Sequence, residues 1–436
     1  MEGSPQSAKT TLASQRYPRM DNHNTRHNAL INIAGESIWG LKSNLIFPSV
    51  ILAVLLYQYG ASPAVIGAIT AIETSMLLIP QMFGGFIFHS RARRKRQLAL
   101  WHFLVMLPFN IGMGLLTFSA NQMDPAVYRT LMLVSFACYT GAIGVVSASW
   151  FEYFIGTIYE TSIRGTVMGL SSFGASILGT GGALFAGWML KTFPAPEVYG
   201  WLYMISWVFG MASISIFLLI KDPSSVDALE IPRPKIEDLL IDLRLSLALS
   251  NFRRYLVGRI LAVIGFSIIP FIAIYFTSAV GGNLSKDFVV SSFSAFTLAN
   301  AVGSLVFGRL GDRFGHRWGI LFGASMQVFS LVLAISLPMV IGCILAYAFA
   351  GLTSSCAFVS HYNLVIEMCP SENRVAHISM ANLIIGFPSA LAPLFAGAIA
   401  SQWGIPTLFM ICSIISCLAV IWFSLFFKEP RSLYNT

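Results

Sequence analysis

Four charged side chains stand inside long apolar runs: Glu36, Lys42, Glu73 and Arg259. A charge at the centre of a membrane helix costs about 2.5–3.5 kcal/mol on insertion scales, so such groups face a bundle interior or water and bind ionic substrates or exchange protons. Glu73 is the deepest, ten residues from the start of its run and fifteen from its end. Glu36 and Arg259 lie nearer the run ends, where snorkelling or a structural pair is the plain alternative. Lys42 follows Glu36 by six residues, roughly 240° around a helix, so the two do not share a face. Weaker polar candidates are Asn32, Asn44, Tyr139, Thr140, Asn300, His361 and Tyr362. A histidine such as His361 is able to titrate near neutral pH, although a lone one at a helix end is more often a hydrogen-bonded interface residue. No metal-ligand spacing, nucleophile triad or phosphate loop appears, so no enzyme activity, metal or cofactor is expected.

The elements that position these residues are membrane spans. The chain is 56% hydrophobic and 11% charged, with a mean hydropathy of +0.72. Crossing roughly 30 Å of hydrocarbon takes about 20 apolar residues. Twelve runs qualify: 29–57, 63–88, 98–119, 126–151, 165–190, 199–220, 255–279, 286–307, 317–336, 338–363, 376–400 and 404–427. Internal prolines such as Pro48, Pro80, Pro108, Pro270, Pro388 and Pro393 are tolerated where neighbouring helices satisfy the freed backbone groups. The period-two alternation of a membrane β-barrel is absent. The expected fold is therefore all-α, with twelve transmembrane helices.

A net charge of +8 suggests nucleic acid until its distribution is read. With twelve spans, 22 of the 27 Lys and Arg residues fall on the side that carries both termini. Only Arg129, Lys191 and Lys286 fall opposite. The positive-inside rule puts both termini in the cytoplasm of a multi-pass protein of the cell membrane. The expected partners are the lipid bilayer, protons and a small solute, not nucleic acid, and a monomer is expected. None of the six cysteines lies in an outward loop, so no disulfide framework is indicated. Residues 1–28 read as a disordered cytoplasmic tail, and 428–436 as a second tail.

The chain repeats itself at a distance of about 210–224 residues. Arg164 precedes Leu184-Phe185-Ala186-Gly187 by the same 20 residues that separate Arg374 from Leu394-Phe395-Ala396-Gly397. Ser149-Trp150-Phe151-Glu152 aligns with Ser360-His361-Tyr362-Asn363, and Phe83-Gly84 with Phe307-Gly308. Two six-helix halves follow, 29–220 and 254–427. The linker 221–253 carries Ile236, Leu239, Leu240 and Leu243 at the spacing of an amphipathic surface helix.

Between two apolar runs stands Gly308-Arg309-Leu310-Gly311-Asp312-Arg313-Phe314-Gly315-His316-Arg317. Gly308 and Gly311 permit close helix approach and Gly315 a tight turn. Asp312 is able to accept hydrogen bonds from a helix N-terminus and from an arginine. This stretch resembles the cytoplasmic loop signature of the major facilitator superfamily, G-x-x-x-D-R-x-G-R-[KR]. It matches at Gly308, Asp312, Arg313, Gly315 and Arg317 and departs at His316. The resemblance implies two pseudo-symmetric halves and a lock that closes the cytoplasmic face, in which the loop arginines join Glu367 and Arg374. Arg164 is the first-half counterpart of Arg374. The first half departs further, with Phe88 where Asp312 stands and Thr157 seven residues before Arg164. Its basic cluster is read as topogenic, with anionic lipid contact as the alternative. In this fold helices 1, 4, 7 and 10 line the central cavity, which directs Lys42 and Arg259 toward substrate and leaves Glu73 as the leading candidate for proton coupling, against a structural role beside Lys42. The expected function is a proton-coupled secondary transporter working by alternating access on a small, anionic or zwitterionic solute. The alternatives are a lipid or lysolipid translocase of the same fold and a transport-inactive receptor or assembly factor.

Overall fold

The computed structural model describes residues 22–430 apart from 81–82, 85–86, 89–92, 152, 155–157, 160, 223–243, 245–246, 338–339 and 369–373. The proposed surface helix at 236–243, the first-half acids Glu152 and Glu160, and most of both tails lie outside the described residues. So do the side chains of Arg164, Gly308, Arg309, Asp312 and Arg374.

Among the described residues, eleven helical stretches are long and apolar enough to cross a membrane, and the 16-residue helix Pro63–Leu78 completes a series of twelve. In chain order α1 is Asn22–Leu45, continued by a π-helical turn Pro48–Leu52 and by Ala53–Gln58. Then come α2 Pro63–Leu78, α3 Arg94–Phe118, α4 Pro125–Phe151, α5 Thr161–Thr192 and α6 Glu197–Phe217. The second series is α7 Ser250–Thr277, α8 Lys286–Phe314, α9 Arg317–Ser336, α10 Val340–Met368, α11 Arg374–Trp403 and α12 Ile405–Leu425. Large apolar side chains stand on the outside, with Leu104 and Leu425 each 71% exposed, as a lipid-facing surface requires.

Every helix contact in the first half has its twin in the second. α1 packs on α5 and α6, α3 on α4 and α6, and α2 on α4; likewise α7 on α11 and α12, α9 on α10 and α12, and α8 on α10. The side chains repeat the pattern. Asn28 donates to the Lys221 carbonyl and accepts from the Lys221 N–H, both at 2.9 Å. Asn251 exchanges the same two bonds with Lys428, at 3.0 and 3.1 Å. Lys95 donates to the Ile220 carbonyl and pairs with Asp222 at 3.0 Å. Arg317 donates to the carbonyls of Phe423 and Ser424, while Glu429 accepts from the Arg317 N–H. A cation at the C-terminus of the last helix of each half meets its exposed carbonyls and its dipole.

These ties correct four expectations. The tail ends earlier than 28, because buried Asn28 belongs to α1 and is fastened to the end of α6. Residues 250–253 belong to α7, not to a linker. The signature stretch is not a loop over its whole length: α8 runs on to Phe314, leaving Gly315, at φ +91°, to make the turn before α9. Lys95, part of the basic cluster read as topogenic, also holds α3 to the end of α6.

The halves meet along two seams. α2 lies on α11, where the Ala64 N–H donates to Ser401 and Gly67 abuts the Pro393 carbonyl. α5 lies on α8, where Thr180 and Thr297 share a hydrogen bond of 2.8 Å and Gly187 abuts Ser291 and the Asp287 carbonyl. A Cβ at Gly67 would lie 2.2 Å from the Pro393 oxygen, so only glycine allows this approach. Phe47 also stacks on Phe293, with ring centroids 4.4 Å apart. Buried side chains follow the same division. One core cluster joins both halves at the end remote from the described termini, through Leu45–Leu56 and Phe271–Phe276. At the end near the termini each half keeps its own cluster, around Phe154 and Phe217 in the first and Tyr255 and Phe423 in the second. The described contacts thus close the remote face.

Candidate functional site

The first half gathers its ionisable residues inside the bundle. Lys42 is 1% exposed. Its ammonium donates a hydrogen bond to the Tyr139 hydroxyl on α4 and lies over the Trp39 ring, 4.3 Å from the centroid. Glu73, on α2, is near enough to Tyr139 to act on it electrostatically. Tyr139 therefore accepts from the lysine and feels the charge of the carboxylate, while Lys42 and Glu73 form no ion pair with each other among the described residues.

Glu36 lies on another face of α1, within hydrogen-bonding reach of the Trp150 indole on α4. Trp150 stacks edge-on against His102 at 4.8 Å, and His102 meets Trp39 at 5.9 Å. A chain of rings thus links the two sides of α1. His102 is buried at the start of a π-helical turn, His102–Met106, with Nδ1 2.8 Å from the Leu98 carbonyl. If Nδ1 carries the proton donated there, Nε2 is left as an acceptor. Sequence reasoning passed over His102, although a histidine five residues inside an apolar run is the signal that selected Glu73.

The other predicted residues are elsewhere. Asn44 donates to the Gly40 carbonyl of its own helix at 2.9 Å and seats against Gly179 of α5, so it serves helix packing. Arg259 lines a cavity in the second half and acts electrostatically on His361. His361 is buried within α10, bonded to Tyr255 of α7 and, at 2.9 Å, to Asn382 of α11. It is an interface residue joining three helices. Arg259 and His361 repeat the placement of Glu36 and Trp150, since Gly35 and Gly258, each just before the charge, receive Phe217 and Phe423 alike.

Of the residues expected to gate, Arg317 is engaged with α12 inside its own half. Arg313 is exposed, 5.1 Å over the Phe314 ring. Gly311 makes room for the His316 ring rather than for another helix, and Glu367 is half-buried near the end of α10. Among the described residues no group of three or more His, Cys, Asp or Glu is placed to hold a metal.

Comparison with known proteins agrees with this architecture. Residues 255–435 match the model of the Major Facilitator Superfamily. An uncharacterized transporter of Buchnera aphidicola subsp. Schizaphis graminum is 26% identical over 167 residues, 38% of this chain and 41% of its own length. An uncharacterized MFS-type transporter of Methanocaldococcus jannaschii is 25% identical over 36% of this chain and 40% of its own length. The chain thus matches about two fifths of the length of either relative. Among solved structures, a D-xylose-proton symporter covers 93% of this chain and 98% of its own, with a TM-score of 0.72 at 13% identity. The nucleoside transporter NupG covers 93% and 99%, with a TM-score of 0.63 at 15% identity. A bacterial homologue of the human lysosomal transporter Spinster, in an inward-facing conformation, covers 95% and 99%, with a TM-score of 0.61 at 14% identity. The second half thus matches the Major Facilitator Superfamily in sequence, and the chain as a whole is a multi-pass, all-helical membrane protein with the fold of these transporters.

Proposed function

We propose that the protein is a secondary active transporter that carries a small polar solute across the cell membrane by alternating access, driven by protons, with both termini cytoplasmic. The observation that carries this reading is the set Glu73, Tyr139 and Lys42 inside the first bundle, with Tyr139 and Lys42 buried and Glu73 half-buried. Ionisable groups inside a membrane bundle are expensive and mark ion or substrate paths. Glu73 is the proton-exchanging group in this proposal, and Tyr139 couples its charge to Lys42. Arg259 and Lys42 favour an anionic or zwitterionic solute. The sugar and nucleoside transporters of like fold support a small polar one. Closure of the remote face with separate cores at the other end suits an inward-facing member of the alternating pair. Asp312, Glu367, Arg374 and Arg164 are assigned to the opposite closure.

The test is uptake by purified protein in liposomes under an imposed pH gradient, screened against a solute panel with a pH-sensitive dye. Solute-dependent proton movement is the expected result. Its absence for every solute sinks the proton-coupled reading and leaves a lipid translocase or a transport-inactive receptor or assembly factor.

A second reading has its own observation. An apolar groove of about 350 Å³ opens between α7, α11 and α12, past Ile264, Phe387, Leu391 and Ile415. It would seat an acyl chain of a lipid or lysolipid reaching the protein from the bilayer. Transfer of a fluorescent lysolipid between leaflets would favour it.

A further inference from the structure

The halves differ where their symmetry brings them into register. Gly35 meets Phe217 and Gly258 meets Phe423, which aligns α1 with α7 and α6 with α12. Two turns beyond Gly35 comes Lys42, whose Cε would lie 3.6 Å from a Cβ on Gly210 of α6. The same step from Gly258 reaches Gly265, where a Cβ would lie 2.2 Å from the Ser416 hydroxyl of α12. The second half therefore has a glycine where the first has a lysine. Beside that glycine is a cavity of about 210 Å³ between α7, α9, α10 and α12, with Arg259, Phe266, Gln327, Thr353, Ser354 and Ser416 in its wall.

Two features of the wall point to a ligand. Gln327 is 1% exposed, and its amide donates to the Gly265 carbonyl at 3.1 Å. Its Oε1 has no hydrogen-bond partner among the described residues, and neither does the hydroxyl of fully buried Ser416. Buried polar atoms without partners are rare and call for an occupant. That occupant must bring a donor for Gln327 Oε1. Arg259 supplies a planar guanidinium, which suits a carboxylate. A single water needs about 10–15 Å³ on this measure, far less than the space present.

We propose that this chamber binds a small molecule carrying both a carboxylate and a hydrogen-bond donor, a hydroxy- or amino-carboxylate of a few heavy atoms. The site lies within one bundle rather than between the halves. It stands whether or not the protein transports.

The experiment is equilibrium dialysis of radiolabelled glycerate against the full chain in lipid nanodiscs, with propionate and glycerol as competitors. Glycerate should bind saturably. Propionate, which lacks the hydroxyls, and glycerol, which lacks the charge, should each compete about tenfold more weakly or worse, the scale of one charge-assisted bond. Arg259→Gln should weaken glycerate about tenfold or more, and Ser416→Ala roughly threefold, with elution and melting unchanged. If Arg259→Gln fails to fold, Ser416→Ala decides alone. No saturable glycerate binding, or binding indifferent to the folded variants, overturns the proposal and leaves a water-filled chamber.

Discussion

Asn251 stands in the second half where Asn28 stands in the first, each gripping the backbone of the lysine that follows its half's last helix. Replacing either asparagine by alanine leaves a backbone N–H and C=O without those bonds. The Asn28 change should lower stability by about 1–3 kcal/mol, and the Asn251 change, whose bonds are open to water, by less. The two should add, because they share no partner. Thermal denaturation of the purified single and double variants checks this; a double variant no worse than either single would refute the equivalence.

Tyr139→Phe removes the hydroxyl that accepts from Lys42. A buried ammonium that loses this bond should destabilise the fold by about 1–3 kcal/mol or more. Lys42→Met with Tyr139→Phe should recover part of that loss, since it removes both polar groups at once. Melting temperatures of the two singles and the double give the coupling directly.

Glu73→Gln keeps the size of the side chain and removes its proton exchange. Accumulation driven by a pH gradient should vanish while counterflow exchange, which needs no net proton movement, survives. Full pH-driven accumulation in the folded variant would clear Glu73 and turn attention to Glu36 or His361.

Asp312→Asn and Gly67→Val should move the conformational balance in opposite directions. The first weakens the closure assigned to the cytoplasmic face and favours the arrangement described here. The second places a side chain where the Pro393 carbonyl already lies, within 2.2 Å of the new Cβ, and should part the seam between α2 and α11. A cysteine at Ser401, in a chain without the exposed Cys138 and Cys417, should label faster from the remote face in Gly67→Val. Equal labelling in both variants would remove the argument.

Reporter fusions after Thr436 and within 281–286 should report opposite sides of the membrane, the first cytoplasmic. A shared side would break the twelve-helix topology.

Hydropathy and repetition made the helices and the two halves legible, because burial in lipid demands long apolar runs whatever their neighbours. Direction within the bundle was not legible. A helix that is apolar all round gives little hint of which face meets protein, so the burial of Lys42 against Tyr139 and Trp39 could not be foreseen from spacing. Arg317 is expected in a network with Glu367 and Arg374, and nothing in its spacing foretells its hold on the end of α12. Asn28 reads as tail in the sequence because a single polar residue carries no periodic signal, and its partner Lys221 lies 193 residues away. For His361, a candidate for coupling with an interface role as the alternative, the partners on α7 and α11 could not be foreseen from spacing.

The remote face is shut along two seams, α2 against α11 and α5 against α8, each fitted so closely at a glycine that no Cβ has room. A turn of one half about the other has to release both together. A fault in one seam alone would instead tilt the halves and leave a narrow crevice that never reseals. Proteins damaged there should therefore conduct: small ions should slip through as a steady current in a planar bilayer, uncoupled from any cargo. The fold's guard against that leak is the closeness of fit at two glycines, backed by the core the halves share at that end.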